Sequence, residues 1–173
     1  FNGNEWLQIS YKSDMSYDGE VNSRGSMVVA GGYPCCDVTN TMEIVQISSR
    51  GNAQFFGDLQ SDSGYSARHN TQGCSNRTRG LIMGGRAAPV YTDQILYYQC
   101  ASQSSGEDFG NLTTNAAYSA AVASSTRGVC MARSSPSNSN VIDYVEISTR
   151  GNAIDFGDAV VTARSNSGAS ALT

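Results

Sequence analysis

The sequence predicts an all-β repeat fold, and three observations carry that reading. An 11-residue phrase recurs, as SSRGNAQFFGD at 48–58, as a worn ASQSSGEDFGN at 101–111, and as STRGNAIDFGD at 148–158. A stretch written three times is a structural module whose period organises the rest of the chain. The composition agrees: 173 residues include 18 Gly, much Ser, Thr, Asn and Ala, and only 15% charged residues. Such a mix suits short strands and tight turns and is poor in helix formers. Finally, apolar residues come in short runs or alternate at period two, and no segment holds a helical period for three turns.

Taken in order, residues 1–23 read as a half unit, with Leu7, Ile9 and Tyr11 alternating before a turn at Asp18-Gly19. An Arg-Gly pair then opens each full unit. Arg24-Gly25 leads into MVVAGG (27–32), Arg79-Gly80 into LIMGG (81–85) and Arg127-Gly128 into VCMAR (129–133). These continuously apolar runs predict strands buried on both faces. After a polar loop come MEIVQI (42–47), QILYYQC (94–100) and VIDYVEI (141–147). Their alternation predicts one buried face, with Ile47, Cys100 and Ile147 in one column and Val45, Tyr98 and Val145 in another.

The repeated phrase follows. Its Gly-Asn makes a turn, and Phe56, Phe109 and Phe156 are expected to anchor a third strand in the core. The acids Asp58, Asp155 and Asp158 recur within the phrase, which points to turn capping or pairing with repeated arginines. A fourth, small and polar segment (66–78, 115–126, 162–173) leads straight into the next Arg-Gly.

The units therefore run 24–78, 79–126 and 127–173, each 47–55 residues long with four short strands. That is the size and content of one antiparallel β-propeller blade, with a β-solenoid as the alternative. Three full units plus a half unit fall short of a closed propeller. Either the chain belongs to something longer, as a start at Phe1 and a stop at Thr173 imply, or copies associate.

Several function classes fit poorly. The net charge of −4 and scattered arginines lack the basic face that nucleic-acid binding exploits. No apolar run approaches the ~20 residues that span a bilayer. The five cysteines (35, 36, 74, 100, 130) show no zinc or redox spacing and read as small hydrophobes in a reducing cytosol. A single histidine, His69, reads as a surface or turn residue, and one lysine, Lys12, leaves no phosphate loop. No metal site, cofactor or catalytic constellation is expected. Arg24, Arg79 and Arg127, one per unit, read as contacts between strands or blades. The sequons at Asn76 and Asn111 read as accidental.

A hydrophobic strand ending in Gly-Gly (27–32, 81–85), an aromatic strand with Tyr97 or Tyr144, then a Phe and a downstream Arg68 or Arg164 resembles the kelch repeat. Residues 143–164 resemble more closely a kelch-like repeat of marine tailed-phage structural proteins, written D-Y-hydrophobic-x-I-x-T-x-G-N-A-x-D-F-G-D-L-T-x-A-R. Departures are QSSGE at 103–107 and Ala132-Arg133 where Gly-Gly is expected. The resemblance implies a non-enzymatic virion structural or adhesive module: a tail-fibre, appendage or surface-decoration protein, assembled in the host cytoplasm. Its partners would be other virion proteins, copies of itself or a host-surface glycan. Variable loops (33–41, 59–66, 86–93, 133–140) would carry binding, with Tyr33, Tyr65 and Tyr91 placed to stack on sugar rings. The alternatives are a purely architectural self-assembling piece, or a secreted kelch-type lectin or enzyme.

Overall fold

The computed structural model describes residues 26–34, 37–47, 50–60, 66–87, 89–131 and 137–163. Among them the chain is all-β, with no helix, and its strands form three antiparallel sheets and one small hairpin. The first sheet orders β1 (Ser26–Gly32), β2 (Thr39–Gln46) and β3 (Gln54–Asp58). The second contains β4 (Gln72–Ser75), β5 (Arg79–Met83), β8 (Gln94–Gln99) and β9 (Glu107–Asn111), in that order. Between its two middle strands the hairpin β6 (Arg86–Ala87) and β7 (Val90–Tyr91) projects. The third sheet runs β10 (Ala120–Ala123), β11 (Arg127–Met131), β12 (Ser139–Glu146) and β13 (Ile154–Ala163). Each is a meander, as short loops between sequential strands dictate.

The sheets run out of phase with units set at the Arg-Gly pairs. The fourth segment joins the sheet that follows: Gln72–Ser75 pairs with the strand opened by Arg79, and Ala120–Ala123 with the strand opened by Arg127. A tight turn forces this pairing. Asn76 Oδ1 accepts the amides of Thr78 and Arg79, and Ser124 Oγ accepts those of Thr126 and Arg127. The first sheet also breaks the Arg column. Arg79 stands opposite Gln99, whereas the matching place opposite Gln46 belongs to Ser26, because five residues separate Arg24-Gly25 from its double glycine and three separate Arg79-Gly80 from the next. Arg24 lies outside the described residues.

One irregularity recurs at the same place in all three sheets. Met42 pairs with Gly57 and Glu43 with Phe55; Ile95 pairs with Gly110 and Leu96 with Asp108; Ile142 pairs with Gly157 and Asp143 with Asp155. The skipped residue is Phe56, Phe109 or Phe156. Each phenylalanine of the repeated phrase is thus the extra residue of a β-bulge, which bends the strand and re-aims that side chain.

Two core clusters result, one at each junction between sheets. Met42, Phe56 and Leu59 pack with Ile82 and Leu96 between the first and second. Leu81, Met83, Ile95, Tyr97 and Phe109 pack with Cys130, Val145 and Ile147 between the second and third. Alternate residues of β5 and β8 therefore face opposite neighbours, which is why LIM is buried throughout. The outer sheets lack that double cover. Phe156 departs from its expected core position at 56% exposed, and Ile47 is likewise out in solvent at 66%. Neither has a further sheet against it among the described residues.

The double glycines have a steric cause. Gly31 and Gly84 adopt φ of +68° and +61°, and a Cβ would lie 2.3 Å from the Arg68 carbonyl oxygen or 2.2 Å from that of Ala116. The following glycines donate to those same oxygens, Gly32 N to Arg68 O at 2.9 Å and Gly85 N to Ala116 O at 2.7 Å. The incoming fourth segment docks by its main chain on a patch of backbone that tolerates no side chain.

Candidate functional site

The docked segment builds a ridge where the loops leave the double glycines. His69 and Arg86 exchange main-chain hydrogen bonds, His69 N to Arg86 O at 3.0 Å and Arg86 N to His69 O at 2.7 Å. Arg86 in turn pairs with Tyr91 across the hairpin. Residues directly opposed in an antiparallel pair present side chains on the same face. The Arg86 guanidinium accordingly sits 5.6 Å from the Tyr91 ring centroid, and the Tyr33 ring lies 5.4 Å from His69 at a 54° tilt. Asn70, held at φ +55°, donates from Nδ2 to His69 Nδ1 at 2.7 Å.

Two of the three expected tyrosines thus come together, Tyr33 exposed and Tyr91 half-buried, at the ends of a row through His69 and Arg86. Tyr65 lies outside the described residues. Neither His69 nor Arg86 is singled out by the sequence as a binding residue. The available signal is positional: Arg86 follows Gly84-Gly85 as Tyr33 follows Gly31-Gly32. Chemically the row offers flat aromatic faces beside a guanidinium and an imidazole, a pairing that accepts sugar rings and their anionic substituents. The Arg86 Nε is buried and makes no hydrogen bond among the described residues.

Beneath the ridge lies a buried polar line. Arg68 is wholly buried, and its Nη2 donates to Gln94 Oε1 at 2.8 Å while Gln94 Nε2 donates to Asp108 Oδ1 at 3.1 Å. Burial lowers the Arg68 guanidinium from its ordinary value to about 10. In the third sheet the comparable role falls to the fully buried Asp143, whose carboxylate accepts from Thr113 Oγ1 at 2.8 Å and Thr113 N at 3.2 Å.

At the second junction the repeated arginines are spent between sheets. Arg79 Nη1 donates to the carbonyls of Ile147 and Ser148 at 3.0 and 2.9 Å, with its guanidinium 5.1 Å from the Tyr97 centroid. From the third sheet Arg150 stacks on the same ring at 4.5 Å, hydrogen-bonds its hydroxyl, and pairs with Glu107 at 2.7 Å. Arg127 makes the equivalent stack on Tyr144 at 4.8 Å, but on an open face, where its ion pair is with Glu146 of the neighbouring strand. Of the phrase acids, Asp155 Oδ1 accepts Gly157 N at 2.9 Å across the bulge within β13 and caps no turn, and Asp58 acts through its main chain, its carbonyl accepting Gly106 N. Asp158 sits exposed opposite Val141.

Cys74, Cys100 and Cys130 are free thiols, and Cys35 and Cys36 lie outside the described residues. Burial, reinforced by the Cys130 sulfur, pushes the Cys74 thiol up to about 12. Among the described residues no group of three or more His, Cys, Asp or Glu side chains stands together as a metal site. No helix among them is long and apolar enough to cross a membrane. No protein-family model matches the chain, and no curated protein matches it.

Proposed function

We propose that this chain is a non-enzymatic structural and adhesive module of a phage particle, of the tail-fibre, appendage or surface-decoration kind. In this reading its sheets are kelch-like propeller blades that form a rigid frame, and the ridge of Tyr33, His69, Arg86 and Tyr91 meets a host-surface glycan. One observation supports it above others. Residues at repeated positions (Arg79, Tyr97, Arg150, Gly57 and Gly110) are consumed in contacts between sheets, while residues that do not recur gather on a single edge. A frame built from repeats and a recognition edge built from exceptions is the division of labour expected of a display module.

The test is glycan-array binding of the wild-type chain beside Tyr33→Ala and Arg86→Ala, with proteomics of purified virions. Binding that falls at least tenfold in either variant, and recovery of the chain from particles, are the expected results. Turnover of a sugar, or binding indifferent to both substitutions, defeats the reading.

A further inference from the structure

The two junctions between sheets are made by the same positions. At the first, the main chain of the second sheet's phrase crosses Gly57, where a Cβ would lie 2.4 Å from Ser104 O. Gly106 N donates to Asp58 O at 2.9 Å, and Asp58 N to Ser105 Oγ at 3.5 Å. At the second, a Cβ on Gly110 would lie 2.3 Å from Gly151 O, Ala153 N donates to Asn111 O at 2.7 Å, and Asn111 N to Asn152 Oδ1 at 3.1 Å. In the aligned phrases these are the same three contacts. Each phrase is a plug for the one before it and a socket for the one after.

Among the described residues one plug and one socket remain. The plug is Arg50–Ala53 of the first phrase, exposed throughout, whereas Ala153 of the seated plug is half-buried. The socket is Phe156–Asp158 of the last, where a Cβ on Gly157 would meet nothing within 4 Å. The apolar surfaces flanking them correspond, except that Met27 stands where Gly128 packs on the second sheet. Val29 (46% exposed) and Ile47 (66%) hold the places by which Cys130 and Ile147 (both 0%) cover the second sheet. Ile154 (59%) and Phe156 (56%) form the face to be covered, Phe156 holding the place of the buried Phe109. Tyr144 stands ready for Arg50, as Tyr97 receives Arg150.

We infer that the open face of the third sheet binds the first sheet of a second copy of this chain, head to tail, repeating the internal junction. The occupant is identified by the contacts already made twice within the chain. The association is heterologous, since plug and socket are different surfaces, and it extends by further copies until the ends meet or are capped. This rests on the structural-frame half of the proposed function and not on glycan recognition.

Sedimentation velocity of the full chain over a range of concentrations, with a head variant, Ile47→Asp, and a tail variant, Phe156→Asp, tests it. Both positions are exposed, and circular dichroism with thermal melting confirms that each variant folds. The wild type should grow with concentration, and each variant alone should associate at least tenfold more weakly. An equimolar mixture of the two should form a dimer that grows no further, because each supplies the surface the other lacks. Val29→Asp and Ile154→Asp, at separate positions on the two faces, repeat the design should either first variant misfold. A wild type that stays monomeric, variants that still assemble, or a mixture no larger than its components overturns the inference. Glycan binding measured on monomeric Phe156→Asp fails or survives independently.

Discussion

Phe109 and Phe156 occupy the same place in two sheets and lead different lives. Both precede glycine, both are the extra residue of a bulge, and both meet a tyrosine edge-to-face, at 6.0 Å for Tyr97 and 5.7 Å for Tyr144. Yet Phe109 is 2% exposed and Phe156 is 56% exposed. The motif builds the bulge, and the neighbour supplies the burial. What looks like a core residue in a repeat is a socket that becomes core only when the next sheet arrives.

Substitution sharpens that contrast. Phe109→Ala should cost about 4 kcal/mol of unfolding free energy, as for other buried aromatics, whereas Phe156→Ala in the monomer should cost less than about 1 kcal/mol. Equal losses by denaturant titration would mean that the open face is covered in solution. The glycines come next. Gly110 and Gly157 share a strained backbone, φ +149° and +138°, so alanine at either carries a penalty of about 1–3 kcal/mol. Only Gly110 also has a carbonyl in the way, and Gly110→Ala should therefore melt well below Gly157→Ala.

The pH dependence separates the junctions from the solvent-facing ends. Cys74, beside Cys130 at the second junction, is raised from 9.0 to about 12 by burial first and by that neighbour second. The folded state keeps a proton that the unfolded chain releases, so this contribution is intact below pH about 9 and is lost as pH rises toward 12. Cys74→Ala should flatten the decline of melting temperature across that window, and an unchanged slope would remove Cys74 as its source. Smaller again is Arg150→Ala, worth about 0.5–1 kcal/mol given an exposed ion pair and a cation–π contact, and weakened by salt. Of the same size is Asp155→Ala, whose lost bond across the bulge should lower stability by about 0.5–1 kcal/mol. A melting temperature unmoved by that change would show the carboxylate to be structurally idle.

The repeated phrase and the strands around it are legible in the sequence because both are local: alternation marks strands, and Gly-Asn marks the turn. Pairing between segments is less so. The turn at Asn76–Thr78 hands the fourth strand to the following sheet, and a phase chosen at Arg-Gly cuts the second and third sheets after their first strand. Nor does the Arg-Gly motif fix the register: five residues follow Arg24-Gly25 before the double glycine and three follow Arg79-Gly80, so Ser26 takes the place of Arg79 in the ladder. Exposure of Ile47 and Phe156 follows from the want of a further sheet beside them among the described residues, which no periodicity records. At the ridge, loop tyrosines can be picked out by type, but His69 and Arg86 join them only through the docking of residues 66–71 on Gly31-Gly32 and against the Gly84-Gly85 turn.

That docking has a consequence for variation. The groups that meet the double glycines are the carbonyl oxygens of residues 68 and 116, an oxygen every amino acid carries. The position is therefore indifferent to side-chain identity: one sheet places a guanidinium there and the next a methyl group, with the same main-chain fit. Interior polarity and fold geometry are set by separate atoms of the same residue. The layer beneath the ridge can change its chemistry from unit to unit without moving the loops above it.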